Sequence, residues 1–330
     1  MIRYVLRRLL GIVVVLLLIA IITFVVFYLL PSNPAQLSCG KPCTPDRLAS
    51  VLHFEHLDLP IYVQFGEFLV GIVAGRTFGE GAGVVHCAAP CFGYSFQQGA
   101  PVTQLIGERF PVTASIAVGA AILWLLIGVT IGVISAVRRG SLLDRSTMVL
   151  ALGGVSAPTY LVGLLGILIF GFGLNMVPVN GYVPFFDDPV QWAWHLVLPW
   201  CTLAFVSMAV YARLTRNQML EVLGEDYIVT ARAKGLTERR VVIGHGLRAV
   251  LAPIATVFGL DLGSLLGGAV ITESVFGMQG MGQLLIQAVN QLDLPLVVGL
   301  TLFSGFLIIV ANLVVDVAYV FLDPRVSYEQ

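Results

Sequence analysis

"LLGIVVVLLLIAIITFVVFYLL", Leu9 to Leu30, decides the fold class. It contains no Asp, Glu, Lys or Arg. A helix rises about 1.5 Å per residue, so roughly 20 apolar residues cross the ~30 Å hydrocarbon core of a bilayer. This run is long enough. It follows Arg3, Arg7 and Arg8. A cleaved signal peptide has an apolar core of only about 7–15 residues. The run is longer, and no small-x-small cleavage site follows it. It reads as a retained first helix.

The rest of the chain agrees. Of 330 residues, 58% are hydrophobic and 11% charged, against about 25% charged in soluble proteins. Mean hydropathy is +0.92. The chain is an integral membrane protein, and its net charge of −1 offers no basic excess for nucleic acid. Five more segments are long and apolar enough to span: Val112–Val137, Met148–Leu174, Leu196–Leu214, Leu251–Ile271 and Leu296–Phe321. An all-helical protein with six spans is expected.

Lys and Arg set the orientation. The N-terminus, the 138–145 loop, the 213–250 loop and the C-terminal tail carry 3, 3, 7 and 1 of them. The opposite side has only Lys41, Arg47, Arg76 and Arg109, spread over a longer length. Both termini are therefore expected in the cytoplasm, with 323–330 as a cytoplasmic tail. Residues 31–110 form an outside domain after the first helix (1–30), and 111–322 the membrane core.

The outside domain has its own signals. Thr44-Pro45-Asp46 reads as a helix cap followed by proline in the first turn. Ile61–Ala74 is apolar but too short to span, so an interfacial or partly buried helix is expected. Cys39 and Cys43 form one cluster, Cys87 and Cys91 another. An oxidising exterior favours disulfides; a four-thiolate zinc site is the rival. Four cysteines allow three pairings. Pairing between clusters is preferred here, because a longer closed loop restricts the unfolded chain more. Cys201 in the fourth span reads as a small apolar residue. "HFEHLD" (His53, Glu55, His56, Asp58) lacks the His-Glu-x-x-His spacing of a metal helix and reads as a polar surface helix end. No metal site is expected. The glycines Gly277, Gly280 and Gly282 permit tight turns, and no Gly-Lys-Ser/Thr follows to make a phosphate loop.

One cytoplasmic stretch stands apart: "DYIVTARAKGLTERR", Asp226 to Arg240. Ala231 and Ala233 offer small side chains on a short helix, Gly235 suits its C-terminus, and Arg232 and Lys234 suit its negative end. Such a helix can lie close against another protein. The plainer reading is a solvated loop made basic by topology.

This stretch resembles the cytoplasmic coupling loop, or EAA loop, of ABC importer permeases. More closely, the chain is similar to the B-type permease of dipeptide and oligopeptide importers. "LDLPIYVQF", "GYSFQQGAPV", "ERFPVT", "LPWCTLAF", "ARLTRNQMLEVLGEDYIVTARAKGL", "GSLLGGAVITESVF" and "VVDVAYVFLDPR" follow that pattern in order. The resemblance implies a type I importer bundle. It implies a C-type permease as the other half of the path, two ABC ATPase subunits beneath, and an extracytoplasmic peptide-binding protein that delivers cargo. ATP and Mg would sit on the partner subunits, with no cofactor on this chain, which would itself be no enzyme. Tyr227, Thr230, Ala231, Arg232, Ala233, Lys234 and Gly235 match the loop's core within 215–250. Val229, Thr230 and Ala231 take the places of Glu-Ala-Ala, so the acidic residue is missing. The same motifs serve importers of nickel chelate, glutathione and antimicrobial peptides. A secondary transporter or channel is the rival of another class, but no repeat relates spans 1–3 to 4–6.

Charged residues in the spans raise separate questions. Asp261 falls near mid-membrane, where a carboxylate is costly. It reads either as a path-lining contact to a substrate amine or as a carboxyl bonded between helices. Glu273 and Asp293 fall at outer helix ends, as water-exposed termini or substrate contacts. Pro158 should kink the third span, and Asn312 and Asp316 should bond between helices.

Overall fold

The computed structural model describes residues 2–29, 34–39, 43–79 and 84–322, and for 2–9, 34, 37, 155, 316 and 318–322 the backbone alone. In chain order, α1 (Ile2–Phe24) runs into a π-helical turn. Three short helices follow: α2 (Pro34–Cys39), α3 (Pro45–Phe54) and α4 (Ile61–Ala74). Two small hairpins come next, β1 (Arg76–Phe78) with β2 (Val85–Cys87) and β3 (Tyr94–Ser95) with β4 (Ala100–Pro101). The long helices are α5 (Val102–Val137), α6 (Leu142–Ser156), α7 (Thr159–Gly166, continued as a π-helix) and α8 (Pro189–Val222). Then come α9 (Asp226–Ala233), α10 (Glu238–Arg240), α11 (Arg248–Leu266), α12 (Val270–Val275), α13 (Met281–Gln291) and α14 (Leu294–Leu322).

Among the described residues five helices are long and apolar enough to cross, or six when the bent pair, Leu142–Gly154 with Thr159–Gly173, is counted as one span. The expected kink at Pro158 is a full break. α6 stops at Ser156, Pro158 caps α7, and the two parts meet at 101°. A proline lacks the N–H that would continue the ladder and disfavours helix in the residue before it. α5 begins ten residues before the apolar run, because Glu108 and Arg109 interrupt hydropathy without interrupting the helix. Pro253 lies inside α11, the fifth span. The end of that span comes earlier than expected, at Leu266, where Gly267 and Gly268 follow. Gly268 has φ +143°, and a Cβ there would meet Gly282 Cα at 2.8 Å.

The chain divides into two compact units. The first holds residues 1–113, 266–270 and 279–309. Its larger core joins Val102, Leu105 and Ile106 of α5 to Met281, Leu284 and Ala288 of α13 and to Leu296 and Leu300 of α14. A second core sets Phe68 of α4 against Ala20 and Phe24 of α1 and Val298 and Leu302 of α14. α4 thus rests on spanning helices, as expected for a short apolar helix. Thr44 caps α3 through a bond from the Arg47 amide, 3.3 Å, with Pro45 in the first turn.

The disulfides correct an expectation. They pair within the clusters, Cys39 with Cys43 and Cys87 with Cys91. Cys39 packs with Ala35 and Val51, whereas Cys87 and Cys91 pack with Phe78, so the two clusters sit in separate small cores. Each bridge closes a very short loop and so restricts the unfolded chain less than a long one would. The thiols being spent this way, the zinc alternative falls with them.

The second unit holds residues 114–265, 271–278 and 310–330. Here α5 crosses α8 at glycines. A Cβ on Gly128 would come 3.0 Å from the Met208 carbonyl, and one on Gly132 2.6 Å from that of Ala212. Gly128 and Gly132 are spaced as in the Gly-x-x-x-Gly packing motif, which lets backbones approach closely in lipid. The atom struck at Gly132 is backbone and cannot turn aside. Gly132→Ala should therefore cost about 1–3 kcal/mol, read as a lowered midpoint of thermal unfolding. Gly153→Ala, whose Cβ meets nothing within 4 Å, should leave that midpoint unchanged.

Candidate functional site

The cytoplasmic stretch folds as expected into a short helix, α9. Asp226 lies in its first turn and Arg232 in its last, each at the end its charge favours. Gly235 adopts φ +79° and donates its N–H to the Arg232 carbonyl at 2.9 Å. That left-handed residue ends the helix, a conformation that glycine takes without strain. Thr230 Oγ1 donates back to the Asp226 carbonyl at 2.9 Å. Arg232 Nε donates to Glu238 Oε1 at 2.9 Å, an exposed pair that fixes geometry more than it stabilises.

α9 has two faces. Ile228 and Ala231 are buried with Val241 in a cluster supported by Val222, Leu223 and Leu236. Tyr227, Thr230, Ala233 and Lys234 are exposed, at the three- and four-residue spacing that puts side chains on one helical face. Tyr227 is 46% exposed and Ala231 only 8%. The expectation that Ala231 presents itself outward is therefore corrected. Its small side chain lets α9 settle onto its own chain, and Ala233 is the small residue on the open face. Sequence spacing offered both alanines; only the packing of Ile228 chooses between them.

A second feature escaped the sequence. Arg216 of α8 grips Asp144 of α6 with two bonds, Nε to Oδ1 at 2.6 Å and Nη2 to Oδ2 at 2.9 Å. Ser135 Oγ and the Gly140 amide also donate to that carboxylate, at 2.5 and 2.9 Å. Asp144 is buried, and the brace joins the end of α5, the start of α6 and the last turns of α8 close before α9. Seventy-two residues separate the partners, so no local pattern could pair them.

Asp261 lies in α11 on an exposed face with Thr256, Leu260 and Ser264. The fully buried Tyr211 donates its hydroxyl to Asp261 Oδ2 at 2.8 Å. One oxygen is thus held between helices, and the residue is exposed. Glu273 is buried in α12, which removes the water-exposed reading for it. Asp293 is buried too, and its Oδ1 accepts the Leu296 amide at 3.3 Å to cap α14. Asn312 is half-buried; the side chain of Asp316 and the tail 323–330 lie outside the described residues.

This architecture defines a multi-pass helical membrane protein that holds a short two-faced helix on a basic loop between two spans. Two family models match it: the N-terminal part of binding-protein-dependent transport system membrane components at residues 1–117, and the inner membrane component of such systems at 128–328. The chain belongs to this family, the permease subunits of ABC importers, and is a multi-pass protein of the bacterial inner membrane. It is 39% identical over 325 residues to a putative peptide transport system permease of Brucella abortus, covering 98% of this chain and 99% of that one. It is 34% identical to the dipeptide transport system permease DppB of Escherichia coli K12, over the full length of both. It is 36% identical to the glutathione transport system permease GsiC of Salmonella choleraesuis, again over the full length of both. Among solved structures, a chain of the inward-facing MetNI methionine ABC transporter matches with TM-score 0.51 and 19% identity, covering 65% of this chain and 96% of that one. That likeness speaks for the fold alone. A permease of this family works with a second permease, ATPase subunits and a binding protein.

Proposed function

We propose that this chain is the B-type permease of a peptide importer. It forms half of the path beside a C-type permease, receives di- or oligopeptides from an extracytoplasmic peptide-binding protein, and is driven by two ABC ATPase subunits. End-to-end similarity to permeases named for peptide and dipeptide transport carries this reading. The exposed face of α9 supports the coupling step. Tyr227, Thr230, Ala233 and Lys234 dock on an ATPase, Ala231 and Ile228 hold the helix to the permease, and Gly235 ends it. ATP and Mg are held by the partner subunits, and this chain performs no catalysis. Asp261 lines the path, since a carboxylate open to one side within a span is costly against lipid. Its fixed oxygen, bonded by Tyr211, leaves the other for a cationic group of the cargo.

The glutathione permease relative favours a second cargo, glutathione, on the same machine. Uptake separates the two. Removing the chain from its host should abolish uptake of labelled di- and tripeptides, and a restored wild-type copy should return it. Asp261→Asn should assemble normally and import less. Loss of glutathione uptake with peptide uptake intact would move the assignment to the second cargo. No change in either would overturn the importer reading for these substrates.

A further inference from the structure

"HFEHLD" is a polar surface helix end at His53 and Asp58, as its composition suggests, but not at Glu55. His53 is exposed, and its Nδ1 stands 3.7 Å from Asp58 Oδ2. His56 turns out with φ +57° and bonds Glu67 Oε2 at 3.0 Å. Glu55, between them, turns inward. Its backbone ends α3, with its amide bonded to the Val51 carbonyl at 3.0 Å. Glu55 is 6% exposed, and neither carboxyl oxygen has a hydrogen-bond partner among the described residues. The Ser38 hydroxyl faces the carboxyl but sits outside hydrogen-bonding geometry.

Glu55 lines a cavity of about 30 Å³ with Tyr28, Gln64, Arg76, Tyr94 and Pro295. That is room for one or two water molecules. The charged groups around it come from several elements. Among the described residues Arg76 of β1 is the one permanent cation lining it, and its Nη2 is engaged, bonding Glu67 Oε2 at 2.7 Å and the Glu55 carbonyl at 3.1 Å, while its Nε has no partner there. Glu67 of α4 in turn holds His56. Asp293, before α14, adds a second buried acid, with its oxygens taken by the Ser95 hydroxyl and the Leu296 amide. Tyr28 and Tyr94 bring only phenols. One guanidinium thus stands near three carboxyl groups, and of these only the Glu55 carboxyl has nothing bonded to it among the described residues. An unpaired buried carboxylate is far costlier than a neutral carboxyl. A metal cation would sit against the guanidinium, and no cluster of three or more His, Cys, Asp or Glu able to hold one occurs among the described residues.

We propose that Glu55 is a proton-binding site of the outer domain: its neutral carboxyl lets the core close around the Asp293 cap of the last spanning helix, and loss of the proton loosens that closure. Burial pushes this carboxyl up to about 8 from its ordinary 4.5, and the nearby Asp293 adds to the rise. Burial raises Asp293 as well, while the bonds from Ser95 and Leu296 pull it back. An acid raised in the folded state binds its proton there more tightly than in the unfolded chain. Its stabilisation is complete below 4.5 and is lost as pH rises through the window from 4.5 to about 8. The site thus makes the outer domain responsive to the pH outside the membrane.

Thermal unfolding of the intact chain in lipid nanodiscs, from about pH 5 to about pH 9, tests this. The wild-type midpoint should fall by ~5 °C or more across the window. Glu55→Gln, permanently neutral, should lose most of that fall and exceed the wild type at the alkaline end. Asp293→Asn keeps a capping side chain and removes the neighbouring charge, so it should shift the fall to lower pH. A Glu55→Gln variant with the wild-type pH dependence would overturn the proposal. If that variant does not fold, Asp293→Asn decides, and an unmoved fall overturns it.

Discussion

Gly235→Asp should leave the chain in the membrane and stop transport. The residue has φ +79°, where a side chain is strained, yet a Cβ there would meet nothing within 4 Å. The substitution therefore does not clash. It costs about 1–2 kcal/mol in backbone conformation and places a carboxylate at the negative end of α9, about 0.3–1 kcal/mol more. Neither sum unfolds a protein of this size; both fall on α9, the helix proposed to dock on the ATPase. Substrate-stimulated ATP hydrolysis and import should each drop at least tenfold, about 1.4 kcal/mol of lost coupling, with the amount of chain in the membrane unchanged. The measurement is import and hydrolysis in proteoliposomes, beside quantified insertion. Ala231→Glu is the weaker test of docking. It would drive a charge into the Ile228–Val241 cluster and disturb α9 from beneath.

Arg216→Ala should destabilise the chain more than any other single change considered. It leaves Asp144 buried with only Ser135 and Gly140 donating to it. Breaking a buried pair by removing one partner costs about 3–5 kcal/mol. The lower end applies here, because those two donors remain. The expected result is a fall of ~6 °C or more in the unfolding midpoint and a poor yield of folded chain. Arg216→Lys should recover only part of the loss, since an ammonium cannot match the two-pronged contact. The double variant Asp144→Ala/Arg216→Ala should be less destabilised than the sum of the two single changes, because no charge is then stranded. Full additivity would mean that the two side chains do not stabilise each other.

The parts of this fold that depend on runs of like residues could be read from the sequence. Leu9–Leu30 announces a span by itself, and so does the apolar core of α14. Thr44-Pro45 marks the start of α3, and Gly235 the end of α9. The short helix α9 was readable as a helix because its ends carry local signals. Which side of it faces out was not, because Ala231 and Ala233 are the same residue and only Val241, ten positions on, separates their roles. The same limit hid the Asp144–Arg216 brace and the meeting of Glu55 with Asp293, which join residues far apart in the chain. The cysteines mislead for a physical reason: loop-closure entropy favours long loops, but each cluster sits in its own small core, where its two thiols pair with each other. Asp261 stands out in the sequence as costly, but its partner Tyr211, fifty residues away, lies beyond any local pattern.

The account turns on whether α9 is the contact with the ATPase. The direct measurement is to tag this chain, solubilise the native membrane gently, and identify what copurifies, with Gly235→Asp in parallel. Wild type should bring a second permease and an ATPase pair, and Gly235→Asp should keep the permease and lose the ATPases. A wild-type chain that comes out alone, or a variant that retains the ATPases in full, would contradict it.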